Sequence, residues 1–160
     1  MPRLLTKVTL QTLDWLIART NPAEDIPEHQ QTGRRGEEAA YFHLRQLGYV
    51  MVARNFRSPR RRGEIDLVAW ENGVLCFIEV KTRTTRDVKP AHLAVDRDKQ
   101  HELIAMAHEY LHLLSAKPSW RIDILSVYLH KPLHKPLNAP PGEPHAPPVI
   151  ELFRNAFPAS

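Results

Sequence analysis

Residues 64–81, E-I-D-L-V-A-W-E-N-G-V-L-C-F-I-E-V-K, read as two short strands joined at Asn72-Gly73. That dipeptide accepts the positive φ values of a two-residue hairpin turn. With Glu71 and Val74 flanking the turn, Asp66 falls opposite Glu79 and Glu64 opposite Lys81. Alternation along a strand then places these four side chains on one face. The other face carries Ile65, Leu67 and Ala69 from one strand and Val74, Cys76, Ile78 and Val80 from the other, and is expected to be the core face. Two carboxylates directly opposed across a ladder repel. A divalent cation between them would offset the repulsion, so the hairpin reads as a metal site.

Working outward, residues 34–47 suit a helix ended by Gly48, with Ala40, Leu44 and Leu47 as its core stripe. Glu37 lies one turn before Ala40 on that stripe, and an acid there wants a partner. Residues 49–57 read as a strand with Val50 and Val52 inward. The segment R-N-F-R-S-P-R-R-R from Arg54 to Arg62 holds five arginines and no acid. Beyond the hairpin, residues 97–116 form a helix with Leu103, Ala107, Leu111 and Leu114 on one side. Residues 120–129 alternate as a strand, and 149–153 as another, after which Phe157 can tuck against the core. The order predicts an α/β fold, a mixed β-sheet with a central hairpin flanked by helices.

Residues 1–32 are expected to hold an accessory helix, over 4–19, and a linker over 21–33. A domain of residues 33–160 follows, interrupted by a loop at 130–148 that carries seven of the fourteen prolines. A hydrophobic fraction of 42% over 160 residues is enough for one sizeable core. The formal net charge of +4 permits a polyanionic partner. Cys76 alone excludes an intramolecular disulfide and fits a reducing compartment. With no uninterrupted apolar run for a membrane span, a cytoplasmic protein is expected.

The combination Gly36-Glu37, Arg54-Asn55-Phe56-Arg57, Gly63-Glu64-Ile65-Asp66-Leu67, Glu79-Val80-Lys81-Thr82-Arg83, Lys99-Gln100 and Arg121-Ile122-Asp123-Ile124 resembles the YraN-like bacterial proteins. These are placed in the PD-(D/E)xK nuclease superfamily, alongside archaeal Holliday-junction resolvases. The similarity covers about residues 33–125 and resumes at 149–157. One departure is Ile65, where the superfamily pattern has proline before the aspartate. The resemblance implies a restriction-endonuclease-like core, metal binding by Asp66 and Glu79, activation or positioning of water by Lys81, and a helix acid at Glu37 that completes the site.

Phosphodiester hydrolysis needs a hydroxide nucleophile, charge neutralisation and help for the leaving oxygen. Mg²⁺ or Mn²⁺ on hard carboxylates supplies these. Lys81 can hydrogen-bond the attacking water or the developing oxyanion, with Glu64 opposite to hold its ammonium. Arg54, Arg57, Arg60, Arg61, Arg62, Arg83 and Arg86, with Lys99 and Gln100, are the expected nucleic-acid contacts, DNA being the expected partner. Chemistry on two strands would favour a homodimer. Two rivals stand beside the endonuclease reading. One is a non-catalytic nucleic-acid-binding or assembly protein that keeps the fold. The other is a zinc site on His101, His108 and His112, spaced on one helix face.

Overall fold

The computed structural model describes residues 27–84, 95–129 and 147–158. The elements are α1 (Glu28–Gln46), β1 (Val50–Phe56), β2 (Ile65–Glu71), β3 (Val74–Arg83), α2 (Arg97–Leu111), β4 (Trp120–Tyr128) and β5 (Val149–Phe153). The five strands form one sheet in the order β1-β2-β3-β4-β5. Only β3 and β4 run parallel, and α2 lies in the crossover that such a pair requires. The mixed sheet with a central hairpin flanked by helices is borne out. The sheet and every described site residue belong to one compact unit, Thr32–Ser160. The expected helix at 4–19 and nearly all of the proline-rich loop lie outside the described residues.

The hairpin turn is as expected. Asn72 has φ 49° and Gly73 φ 81°, and Glu71 pairs with Val74. Both faces of the hairpin are nevertheless buried, because a helix covers each side. Leu67, Ala69, Cys76, Ile78 and Val80 pack with Ala40 and Leu44 of α1. Val68, Leu75 and Phe77 pack with Leu103, Met106, Ala107 and Leu111 of α2, and Phe157 joins this cluster. Ile65, expected beside Leu67 and Ala69, packs with the α2-side cluster instead.

Other boundaries shift for identifiable reasons. Helix α1 starts at Glu28, inside the expected linker, because Pro27 caps it by accepting from the Gln30 and Gln31 N–H groups at 2.8 and 3.1 Å. It ends as predicted at Gly48, whose φ of 89° lets the Tyr49 N–H return to the Leu44 carbonyl. Leu47 falls past the last buried turn and is exposed. In β1 it is Val50 and Val52 that face outward, since Met51 pairs with Ala69 and a bulge then precedes Ala53. Helix α2 stops at Leu111 with His112 as its cap, five residues before the expected Ala116.

At the turn end of the sheet a buried ionic network fixes the strands to one another. Arg121 donates to both carboxylate oxygens of Asp123, to the Tyr49 hydroxyl at 3.1 Å and to Glu71. Arg154, beyond β5, closes on Glu71 at 2.9 Å, and the Asn155 N–H reaches Asp123 at 2.8 Å. Burial by itself would raise the Glu71 pKa, but the Arg154 and Arg121 hydrogen bonds and charges outweigh it and hold it at about 2.

Gly36 sets how closely α1 approaches the sheet. A Cβ there would lie 1.8 Å from Thr82 Oγ1 and 2.8 Å from Thr82 Cβ. Gly36→Ala is therefore expected to lower unfolding stability by about 1–3 kcal/mol in chemical denaturation. Thr82→Ala on the same chain should restore part of that loss, because the Cβ remains too near.

Candidate active site

The hairpin forks. Its paired residues run from Glu71–Val74 to Leu67–Ile78, and beyond that point β2 follows β1 while β3 follows β4. Asp66 and Glu79 are the first residues past the last pair. Asp66 spans the opening with its side chain, its Oδ2 accepting from the Val80 N–H at 2.6 Å. The two acids come together at the mouth of the hairpin as the turn register predicts. Both carry buried carboxylates, Asp66 at 8% exposure and Glu79 at 4%.

Glu79 is held by two ammonium groups. Lys81 Nζ donates to Glu79 Oε1 at 2.6 Å, so Lys81 engages the carboxylate two residues back on its own strand and not Glu64. Glu64 is taken by Arg57, whose Nε and Nη2 donate to its Oε2 at 2.9 and 2.6 Å. The second ammonium was not expected here. Lys99 Nζ, from the first turn of α2, stands 3.7 Å from Glu79 Oε2 and donates to Glu102 Oε1 at 2.6 Å. Glu79 Oε2 is buried and has no hydrogen-bond partner among the described residues. Ser126 is Lys81's register partner on β4. Its fully buried hydroxyl likewise has no partner among the described residues.

Glu37 reaches this region from α1, which Gly36 brings against Thr82. Burial, reinforced by the charge of Glu64, raises the Glu37 pKa, and Arg54 and a hydrogen bond with Asn55 temper the rise. Asn55, near the end of β1, sits at a φ of 48°. Asp66 shows the acid crowding most strongly. Burial, followed by the charge of Glu79, pushes its pKa up to about 7, with Glu37 and Glu64 adding to the rise and the Val80 N–H opposing it.

These groups suit a hard cation. The buried Glu79 Oε2, with no hydrogen-bond partner among the described residues, is an available oxygen donor, and Asp66 lies desolvated beside Glu79. Among the described residues, no three His, Cys, Asp or Glu side chains converge into a ready-made metal cage. Lys81 and Lys99 stand against the Glu79 carboxylate instead, at 2.6 and 3.7 Å. The histidine set does not converge either: His108 packs edge-on against Trp120, and His101 lies at a surface cleft.

The expected phosphate-contacting residues separate into groups. Arg60, Arg61 and Arg62 line an open cleft of about 460 Å³ with Asp98, His101, Glu102 and Ala105 of α2. Arg61 pairs with Glu109 at 3.5 Å, whereas Arg60 and Arg62 have no acidic partner among the described residues. The loop is docked on α2 by Ser58, which donates to Glu109 at 3.0 Å. Arg54 lies over the Tyr41 ring, and Arg57 is held by Glu64. The Arg83 Nε is buried without a partner among the described residues. Gln100 donates to the Val95 carbonyl at 3.0 Å, so it serves the start of α2. Arg86 lies outside the described residues.

Sequence reasoning missed three contributors. Lys99 reads as a nucleic-acid contact because nothing in its spacing reveals Glu79, on another element, as its neighbour. Ser126 carries a weak signal, as the one polar residue in the otherwise apolar run from Ile124 to Val127. Asn55 is read as part of the Arg54–Arg57 motif near the end of a strand, with no role assigned to it at Glu37.

The model of the uncharacterised protein family UPF0102 matches residues 36–127. The chain belongs to the UPF0102 family. A UPF0102 protein of Koribacter versatilis is 48% identical over 130 residues, covering 81% of this chain and 88% of the relative. One of Solibacter usitatus is 41% identical over 128 residues, covering 78% and 84%. A third, of Porphyromonas gingivalis, is 40% identical over 104 residues, covering 65% and 76%. The span matched by the UPF0102 model begins at Gly36, the glycine that seats α1, and takes in Glu37, Asp66, Glu79, Lys81, Lys99 and Ser126.

The raised Asp66 pKa has a definite sign for stability. In the unfolded chain Asp66 releases its proton near 3.8, while in the folded protein it keeps it until about pH 7. The folded state thus binds more protons across that window, and stability falls as pH rises through it. Asp66→Asn keeps an acceptor for the Val80 N–H and removes the titration. Relative to this variant, the wild type without added metal is expected to lose on the order of 3 kcal/mol between pH 4.5 and 7.5. Thermal or urea unfolding of both proteins across that range measures the difference.

Proposed function

We propose that this protein is a metal-dependent nuclease of the PD-(D/E)xK type, acting on DNA phosphodiester bonds, with structured or branched DNA as the substrate class. The observation that carries the reading is the fork itself: two buried carboxylates at its mouth, one with an oxygen that has no hydrogen bond among the described residues, and Lys81 2.6 Å from the same carboxylate. An ordinary surface ribbon has no cause to bury two neighbouring acids.

In this reading Asp66 and Glu79 hold Mg²⁺ or Mn²⁺, with Glu37 completing the acidic set. The ion supplies charge neutralisation and a more acidic bound water. The chain's own residues do the rest. The Val80 N–H fixes the Asp66 carboxylate at the mouth of the fork. Lys81 orients a water, or hydrogen-bonds the oxygen on which negative charge develops. The Ser126 hydroxyl, on the strand beside Lys81, is a ready partner for that ammonium. Arg60 and Arg62, with no acidic partner among the described residues at the cleft beside α2, attract backbone phosphates flanking the scissile bond, contacts that position a nucleic acid without reading its sequence.

The test is incubation of purified protein with labelled duplex, single-stranded and four-way-junction DNA in Mg²⁺ or Mn²⁺. Cleavage is expected, reduced about 10²–10⁴-fold by Lys81→Ala and likewise by Asp66→Ala. Cleavage that survives both substitutions overturns the assignment of the site. Salt-sensitive binding with no cleavage under either metal overturns the enzyme reading and leaves a nucleic-acid-binding protein that retains the fold.

A further inference from the structure

We propose that Lys99 is a positioning residue that acts as a built-in counter-cation for Glu79, and that Glu102 sets how much of its charge Glu79 receives. The inference rests on the metal-site reading and goes beyond it, since it concerns what occupies the charge of Glu79 before any ion arrives.

Three observations support it. Lys99 Nζ is 3.7 Å from Glu79 Oε2, the buried oxygen that has no hydrogen bond among the described residues. The same ammonium donates to Glu102 Oε1 at 2.6 Å, so it is shared between a buried acid and one at the surface. Its reach is fixed at both ends of the side chain. Asp96 caps α2 by accepting from the Lys99 N–H at 2.8 Å, and Glu102 lies one helical turn onward. The Glu102 carboxyl is itself confined, because Gly63 packs against it so closely that a Cβ there would fall 2.6 Å from its Oε1. Lys99 therefore leans toward Glu79 without closing on it.

A positive charge at that distance competes with a divalent cation for the same carboxylate. Removing Lys99 strips the competitor, whereas neutralising Glu102 leaves the whole ammonium to Glu79. The two substitutions must then move cation affinity in opposite directions, which a merely structural role for the pair would not do. Because Glu102 acts only through Lys99, its effect should vanish once Lys99 is gone.

Titration calorimetry with Mn²⁺ on the metal-free full chain tests this without any cleavage assay. Lys99→Met is expected to tighten Mn²⁺ binding about fivefold, and Glu102→Gln to weaken it by a similar factor. Lys99→Arg should stay near the wild-type value, and the Lys99→Met/Glu102→Gln double variant should match Lys99→Met alone. Unchanged or weaker binding by Lys99→Met, with Asp66→Asn abolishing the binding seen in the wild type, overturns the role of Lys99 and spares the metal site. No Mn²⁺ binding by the wild type overturns the metal site and the role of Lys99 with it.

Discussion

The hydrogen bond from the Val80 N–H to Asp66 Oδ2 is the constraint on which the site depends. An antiparallel pair that continued past Leu67 and Ile78 would satisfy its backbone groups strand to strand. Here β2 is carried off by β1 and β3 by β4, and an acidic side chain satisfies the orphaned donor. A backbone N–H left unbonded in the interior would be costly, and a carboxylate is a strong acceptor for it. The same bond holds Asp66 next to Glu79 in a region too dry for two adjacent negative charges. The crowding that raises the Asp66 pKa is therefore a direct consequence of how the sheet opens.

The two ends of the hairpin are built on opposite electrostatic plans. At the turn, Glu71 and Asp123 face Arg121 and Arg154, and nearly every charge has a partner. At the fork, Glu37, Glu64, Asp66 and Glu79 share one region and are compensated from its rim by Arg57, Lys81 and Lys99. The first arrangement fixes strands and leaves nothing to bind. The second leaves crowded, desolvated acids and a buried oxygen with no hydrogen bond among the described residues, a pattern more typical of functional sites than of structural ion pairs. The arginine loop then places positive charge on the flank of α2, against Glu109 and beside Glu102.

Much of this was legible in the sequence because the decisive signals are local. Asn72-Gly73 determines the turn, the turn determines the register, and the register brings Asp66 to Glu79. Gly48 marks the end of α1, and the Ile122/Ile124 alternation marks β4. The readings that shifted depend on long-range partners. The core face was drawn as single because the two-residue period reveals alternation and cannot reveal that α2 covers the second side. The inward side of β1 was inverted because only pairing with β2 sets it, and a bulge then adds one residue. Lys81 was assigned to Glu64 on the assumption that the ladder continued, and the fork removes that geometry. Lys99 illustrates the limit most plainly, since its partner Glu79 is twenty residues away and on another element.

The most direct test is a crystal of the full chain soaked in Mn²⁺ at neutral pH, with the ion located by its anomalous scattering. The expected result is a peak within ligating distance of Asp66 and of Glu79 Oε2, with Lys99 drawn away from Glu79 toward Glu102. A map with no peak at the fork, and Lys81 and Lys99 still in their places beside Glu79, would contradict a metal-dependent site there.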